Sequence, residues 1–143
     1  METQRITDAL LKMPYYNAGP IYRGIHVPNA VADRFLQDYQ AGTRHSFGIL
    51  QSFSSREDVA ESFGVWNAVY GHTTSIKFVL QGNKTAPSTV HISHFGYSES
   101  EVLSPHIQEF EVLRAEVESG AQGHRRITFY LEDRTKRKGR RSK

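Results

Sequence analysis

Apolar residues in the first half of the chain recur at helical spacing and predict three helices. The first covers residues 3–13 and stops near Pro14. The second begins with Asn29 as its cap and ends by Gly42. Its inner face is formed by Val31, Phe35, Leu36 and Tyr39. The third covers residues 56–63, with an inner face formed by Val59, Ala60 and Phe63.

In the second half of the chain, apolar and polar residues alternate, which is typical of β-strands with one buried face. The alternating segments are 76–80, 90–92, 102–103 and 110–112. Glu109 and Glu111 would point outward from the last of these. Residues 114–117 and 126–131 are predicted to form a terminal hairpin that turns at 119–123. Because the predicted helices lie in the first half of the chain and the predicted strands in the second half, we expect an α+β domain with two packed sheets.

Length and composition favour one soluble domain. The 143 residues can bury a modest core. No segment approaches the ~20 continuous apolar residues of a membrane span, and no secretory signal peptide is recognised. The absence of cysteine excludes disulfides, zinc–thiolate sites and thiol nucleophiles. The seven histidines lack a metal-binding spacing, so no metal is expected.

Charge is concentrated at the carboxyl end. Residues 134–143, the basic tail, hold seven of the eighteen Lys and Arg residues. The rest of the chain has eleven basic residues against fifteen acidic ones, so the net charge of +3 comes from the tail. Such a run most often forms a solvated, disordered end, and the alternative is contact with nucleic acid or an acidic surface.

Two short segments carry charged groups that could take part in chemistry. Glu99 and Glu101 stand two residues apart at the entry to an apolar segment, so in a strand both carboxylates would share one face. Arg23 interrupts an apolar run beside Gly24, where it is either a solvent-facing strand residue or an anion ligand. Acidic pairs on solvated strands are common, and neither segment alone indicates a function.

A third segment contains hydroxyl groups where an apolar strand leads into the predicted third helix. These are Ser52, Ser54 and Ser55. The simplest interpretation is helix capping, with Ser54 or Ser55 as the N-cap. Ser55 and Asp58 also have the spacing of a capping box.

In this order, the three segments resemble the motifs of the mono-ADP-ribosyltransferase toxins of the arginine, serine, glutamate class. That family has an aromatic-Arg-Gly on its first core strand, a Ser-Thr-Ser on a later strand that leads into a helix, and Glu-x-Glu before apolar residues. The matching segments are Tyr22-Arg23-Gly24, Ser52-Phe53-Ser54 and Glu99-Ser100-Glu101-Val102-Leu103. The likeness extends over residues 20–131, and Phe53 departs from it by replacing the central threonine.

The resemblance implies an α+β fold of two packed, antiparallel-rich sheets with N-terminal helices, and transfer of ADP-ribose from NAD. It implies that Arg23 binds the NAD pyrophosphate and that the backbone of Gly24 approaches the nicotinamide. Tyr22 and Ser54 would complete the NAD site. A guanidinium stays charged and can bind two oxygens at once, which suits the role of Arg23.

For catalysis, the resemblance implies that Glu101, oriented by Ser52, stabilises positive charge on the ribose. Glu99 would face the acceptor, and a glutamate at this position goes with arginine acceptors in the family. Phe95 and Tyr97 precede it, where the family uses an aromatic residue to recognise substrate. The alternative interpretation is that these two aromatic residues only pack.

Phe63 and Trp66 are candidates for stacking on nicotinamide, and both also fit the core. Residues 1–133 would form the catalytic domain of a secreted or injected effector toxin that acts in the target-cell cytoplasm, with no membrane contact. Its producer would need a cognate immunity protein. Two alternatives stay open: ADP-ribosylation of structured RNA reached through the basic tail, and a nucleic-acid-binding module without catalysis.

Overall fold

The computed structural model describes residues 16–47, 51–83, 101–104 and 108–135. Within these residues the chain forms seven strands, two helices and one short 3-10 turn. The strands are β1 (Ile21–Pro28), β2 (Arg44–His45), β3 (Gln51–Ser54), β4 (Thr73–Gly82), β5 (Glu101–Ser104), β6 (Phe110–Ser119) and β7 (Arg125–Asp133). The helices are α1 (Asn29–Asp38) and α2 (Glu57–Phe63), and the 3-10 turn is Ala121–Gly123. The predicted helix over residues 3–13 and the strand over 90–92 lie outside the described residues.

The strands pair in one continuous order, β2-β6-β7-β4-β1-β3-β5. Neighbours are antiparallel except β4 and β7, which are parallel. Strand β1 pairs with β4 along its whole length, from Ile21 to Pro28. With β3 it shares one register pair, Tyr22 opposite Ser54. Beyond that pair β1 and β3 diverge, which opens the sheet at this point.

The sheet folds over on itself where β1 meets β3. Phe53 on β3 packs against Phe110 on β6, with ring centroids 6.2 Å apart. Three strands lie between β3 and β6 in the sheet order, so a flat sheet with strands about 4.8 Å apart would hold these residues about 19 Å apart. The prediction of two separate packed sheets is therefore not confirmed, because one hydrogen-bonded sheet supplies both sides of the core.

The core lies inside this folded sheet and is closed by α1. Its fully buried side chains include Ile21, Phe53, Ile76, Phe78, Leu80, Val102, Phe110, Val112, Ile127, Phe129 and Leu131. Three of the four residues predicted for the inner face of α1 pack on this cluster: Phe35, Leu36 and Tyr39. The aromatic rings of Phe35 and Phe78 meet edge to face with centroids 5.8 Å apart.

The predicted N-cap of α1 is wrong. The N-cap is Pro28 rather than Asn29, and no side-chain hydrogen bond caps the helix. The Asn29 amide instead donates to Gly123 O at 2.9 Å and its Oδ1 accepts from Thr74 Oγ1 at 2.6 Å, which ties the helix start to the 3-10 turn and to β4. The helix ends at Asp38, which agrees with the prediction that it ends by Gly42.

The predicted capping of the third helix, α2, is also wrong. Its N-cap is Arg56, without a side-chain cap, so the Ser55–Asp58 capping box does not form. Ser54 Oγ accepts a hydrogen bond from Arg56 N at 3.0 Å, which stabilises the turn before the helix. Phe63, predicted to face inward, is the last residue of α2 and is 74% exposed.

Strand β4 was predicted to bury one face, yet both of its faces are buried. Ile76 and Phe78 contact the core, while Ser75, Lys77 and Val79 on the opposite face are buried as well. The reason is that α2 and the loop after it lie over this second face.

The predicted terminal hairpin is confirmed and is longer than expected, since residues 110–112 and 114–117 belong to one strand, β6. Within the described residues, no helix is long and apolar enough to cross a bilayer.

Candidate active site

A cavity of about 590 Å³ opens where β1 and β3 diverge. It is lined by residues of β1, β3, β5 and α2. Seven of the residues proposed for the site from the sequence lie on its walls: Tyr22, Arg23, Gly24, Ser52, Ser54, Phe63 and Glu101. Three segments that are remote in sequence therefore meet at one site, as the resemblance requires.

The pairing of β3 with β5 brings Ser52 and Glu101 together. Ser54 lies opposite Glu101 in the register, and Ser52 shares its face of the strand because side chains alternate with period two. Ser52 Oγ donates a hydrogen bond to Glu101 Oε2. Their neighbours Phe53 and Val102 point the other way, into the core, and are 2% and 0% exposed.

This alternation explains the departure at Phe53. The residue between the two serines faces the core, where its ring packs against Phe47 and Phe110 at centroid distances of 6.2 Å. A phenylalanine there adds buried apolar area without touching the hydroxyl groups on the cavity side. The substitution therefore leaves the hydrogen bond from Ser52 to Glu101 intact.

Arg23 extends from β1 into the gap between the two strands. Its Nη1 donates to the backbone oxygen of Ser52 at 3.1 Å, and its Cζ lies 5.9 Å from the centroid of the Phe47 ring. Burial lowers the pKa of Arg23 from its ordinary value, because the charged form loses solvation. A guanidinium has five N–H donors, and the bond to Ser52 uses one of them. A half-buried cation and the Glu101 carboxylate thus share one cavity.

The packing of α2 on β1 explains why residue 24 is a glycine. A Cβ built on it would lie 1.8 Å from Ala60 O, since α2 crosses directly over this residue. Gly64, just after the helix, also lies close to β1, with a built Cβ 3.3 Å from Ile25 O. Close packing of α2 on β1 thus requires glycine here, whether or not the backbone also approaches a ligand. Tyr22, which precedes Gly24 on β1, has a raised pKa. The larger cause is burial, and the second is the nearby Glu57 carboxylate.

Three further residues that were not predicted for the site line the cavity: Val59 and Ala60 on α2 and His26 on β1. The apolar spacing of Val59 and Ala60 indicated core instead. Phe63, one of the two candidates for stacking on nicotinamide, also lines the cavity. Trp66, the other stacking candidate, has its ring 4.3 Å from Lys77 Nζ and is not among the cavity-lining residues. The i, i+3 and i+4 spacing of these α2 residues was a usable signal, since it shows one face of a short helix turned to one surface.

Glu99, Phe95 and Tyr97 lie outside the described residues, so their placement stays a prediction. Among the residues that the structure describes, no group of three or more His, Asp or Glu side chains is arranged to hold a metal ion.

Solved structures with the same fold include ADP-ribosyltransferases, although no family model and no curated protein sequence matches this chain. The Vis toxin from Vibrio splendidus aligns with a TM-score of 0.65 and 20% identity over 96% of this chain and 57% of Vis. Vis in complex with agmatine aligns with a TM-score of 0.62 and 20% identity over 98% and 59% of the two chains. HopU1 of Pseudomonas syringae pv. tomato aligns with a TM-score of 0.57 and 20% identity over 91% and 48%.

This chain therefore spans somewhat more than half the length of Vis. At these identities the likeness establishes the fold, which is that of the ADP-ribosyltransferases.

Proposed function

We propose that this protein is an NAD-dependent mono-ADP-ribosyltransferase of the arginine, serine, glutamate class. It transfers ADP-ribose to a macromolecular acceptor, with protein arginine as the first candidate. The observation that carries the proposal is the meeting of Arg23, Ser52 and Glu101, from three strands, at one cavity in a chain with the ADP-ribosyltransferase fold.

The size and charge of the cavity support NAD as its ligand. Its volume of about 590 Å³ lies within the range of roughly 300–1,000 Å³ typical of small-molecule sites. The Arg23 guanidinium supplies the cation for the pyrophosphate, and Tyr22, Gly24 and Ser54 line the same space. Phe63 is the better candidate for stacking on the nicotinamide, because its exposed ring lines the cavity while the Trp66 ring lies against Lys77.

Glu101 is assigned the main catalytic role. Breaking the bond between the ribose C1′ and the nicotinamide nitrogen sends the bonding electron pair to nicotinamide and leaves positive charge on the sugar. A carboxylate held beside the ribose stabilises that charge, as in glycoside hydrolysis. The hydrogen bond from Ser52 holds the Glu101 carboxylate in one orientation, so that little reorganisation is needed.

Glu99 is assigned to the acceptor. An arginine nitrogen forms the new bond to the ribose C1′ and must lose a proton, which Glu99 accepts. Phe95 and Tyr97 are proposed to contact the same acceptor. The neighbour Vis has a structure in complex with agmatine, a guanidine compound, and this supports a guanidinium as the acceptor group.

The basic tail favours a second candidate acceptor, structured RNA, since seven cations in ten residues suit a phosphate backbone. The nucleic-acid-binding module without catalysis is less favoured, because it gives no reason for a carboxylate, a serine and an arginine to meet at one cavity. We further propose that the domain is part of a secreted or injected toxin that acts in a target-cell cytoplasm, and that its producer has a cognate immunity protein.

Nicotinamide release from NAD tests the activity directly. Wild-type protein is expected to release nicotinamide, and Glu101→Gln to lose that release, while Glu118→Gln, a change of the same kind on a 71% exposed side chain, keeps it. NAD hydrolysis by water is expected as a side activity when no acceptor is present. Absence of any NAD consumption by the wild type would overturn the proposal and favour the binding module.

Labelled NAD then identifies the acceptor. The protein is incubated with the labelled NAD and agmatine, or with a cell lysate that is afterwards digested with protease or ribonuclease. Label on agmatine, together with lysate label lost to protease, supports arginine. Label that survives protease and disappears with ribonuclease would replace protein by RNA as the acceptor.

A further inference from the structure

A buried lysine lies beneath the helix that walls the cavity. Lys77 is on β4, its side chain is 8% exposed, and its Nζ lies 2.7 Å from both Glu57 Oε2 and Glu61 Oε2. The ring of Trp66 covers the same ammonium group at 4.3 Å. Burial opposes the charged form, but the hydrogen bonds from Lys77 to Glu57 and Glu61 raise the pKa of Lys77 overall. We call these four residues the Lys77 cluster.

Helix α2 has few stabilising features within its own sequence. It has only seven residues, lacks a side-chain N-cap and buries only Ala60 among its described residues. A helix of two turns is marginal without tertiary contacts. Glu57 and Glu61 are four residues apart, so both carboxylates lie on one face of α2 and bind the same ammonium group.

The opposite face of the helix belongs to the cavity. Val59, Ala60 and Phe63 line it, and in the strand pairing Lys77 stands directly opposite Gly24, the residue that α2 crosses. Moving the helix relative to β4 would therefore move one wall of the cavity relative to Arg23. The cluster contacts neither β3 nor β5 in the described hydrogen bonds and ion pairs, so the bond between Ser52 and Glu101 is independent of it.

We propose that Lys77 is a positioning residue that sets the width of the NAD cleft by holding α2 against β1. This proposal extends the proposed function, and it rests on that function for the identity of the ligand, NAD. Because the helix wall contacts NAD in the bound state as well as during reaction, losing its position should weaken NAD binding more than it slows the chemical step.

Steady-state kinetics of nicotinamide release test the proposal. We expect Lys77→Met to raise the KM for NAD by about tenfold with kcat nearly unchanged, the pattern produced when binding is weakened equally in the ground state and the transition state. The variant should fold, since Glu57 and Glu61 are 50% and 24% exposed and their carboxylates can be solvated. Lys77→Arg retains a cation between the two carboxylates and should recover most of the wild-type KM.

Arg125→Met is the matched control. Arg125 also joins a strand to a helix, with Nη2 2.8 Å from Asp33 Oδ1 and 3.1 Å from Asn29 O, but it holds α1, which does not line the cavity. We expect this variant to lose stability without a change in KM. Equal KM values for Lys77→Met and wild type, or an equal rise in the Arg125→Met variant, would overturn the positioning role.

Hydrogen exchange separates this proposal from the proposed function. In Lys77→Met, amides of the α2 turns, including Gly64 and Trp66, which donate to Ala60 O and Glu61 O, should exchange faster while those of β4 and β7 stay protected. This readout needs no NAD. If the wild type consumed no NAD, the proposed function would fail and local exchange would still decide whether Lys77 holds α2. Unchanged exchange at α2, or acceleration across the whole sheet, would contradict the proposal.

Discussion

Ser52 is hydrogen-bonded to both charged groups of the cavity. Its side-chain hydroxyl donates to Glu101 Oε2, and its backbone oxygen accepts from Arg23 Nη1 at 3.1 Å. One strand residue therefore sets the position of a carboxylate on β5 relative to a guanidinium on β1. Because the two contacts use different atoms of Ser52, side-chain substitution can remove one and leave the other.

Substitutions at Ser52 and Glu101 should be strongly non-additive. Glu101→Gln is expected to lower nicotinamide release by about 10²–10³-fold, the usual cost of losing one electrostatic contact in a transition state. Ser52→Ala should lower it less, since the carboxylate remains but is no longer oriented. If Ser52 acts through Glu101, the double variant should be no slower than Glu101→Gln alone. If the loss of rate in the double variant equals the product of the losses in the two single variants, Ser52 acts independently of Glu101.

Arg23→Lys should weaken NAD binding while leaving the fold intact. Lysine keeps the charge but loses the planar group that binds Ser52 O and two phosphate oxygens together. We expect a loss of affinity of about tenfold to a hundredfold by calorimetric titration, in line with about 1.5–3 kcal/mol for a hydrogen bond to a charged group. Arg44→Lys, on exposed β2 and away from the cavity, is the control and should bind as the wild type does. Equal affinities in both variants would refute the role of Arg23.

Glu99→Gln should separate transfer from hydrolysis. If Glu99 handles the acceptor and Glu101 the ribose, the variant loses labelling of agmatine or protein and keeps slow hydrolysis of NAD by water. The measurement is nicotinamide release with and without acceptor, beside detection of labelled product. A matching loss of both activities would assign Glu99 to the ribose instead.

Gly24→Ala should destabilise the protein through α2. The added methyl group would lie 1.8 Å from Ala60 O, so the helix must move, at a cost of about 1–3 kcal/mol for overpacking. Gly120→Ala is the control, because its Cβ would meet His124 O at 3.4 Å, an ordinary contact, and should change the free energy of unfolding by about 0.5 kcal/mol or less. Denaturant unfolding measures both, and equal stabilities would contradict the close packing of α2 on β1.

The Lys77 cluster should lose its stabilising effect at high pH. The pKa of Lys77 is raised in the folded protein, so its contribution is complete below the ordinary lysine value of 10.5 and is lost as the pH rises past that value through the folded pKa. The difference in unfolding free energy between wild type and Lys77→Met should thus stay constant up to about pH 10 and then narrow.

Arg125→Met again provides the control for that pH series. Because a guanidinium does not titrate in this range, the difference between wild type and Arg125→Met should not narrow in the same way. If the difference in unfolding free energy between wild type and Lys77→Met stayed constant to about pH 12, the lysine charge would contribute nothing to stability.

The sequence by itself determined the local features. The period of the apolar residues located α1, α2 and the terminal hairpin, because helices and strands bury one face at a fixed spacing. Spacing of two also placed Ser52 and Ser54 on one face of β3, since alternation along a strand is a local property. The order of the three motifs indicated which residues to expect at one site.

Only the tertiary structure decided how these elements meet. The single register pair between β1 and β3, and the bend of the sheet beside it, bring Arg23 to Ser52 across 29 positions of sequence. The burial of Lys77 and the clash that excludes a side chain at Gly24 both depend on α2 lying over β1 and β4. Such contacts join residues that no local period relates, so they follow from the packing of whole elements rather than from the pattern within any one of them.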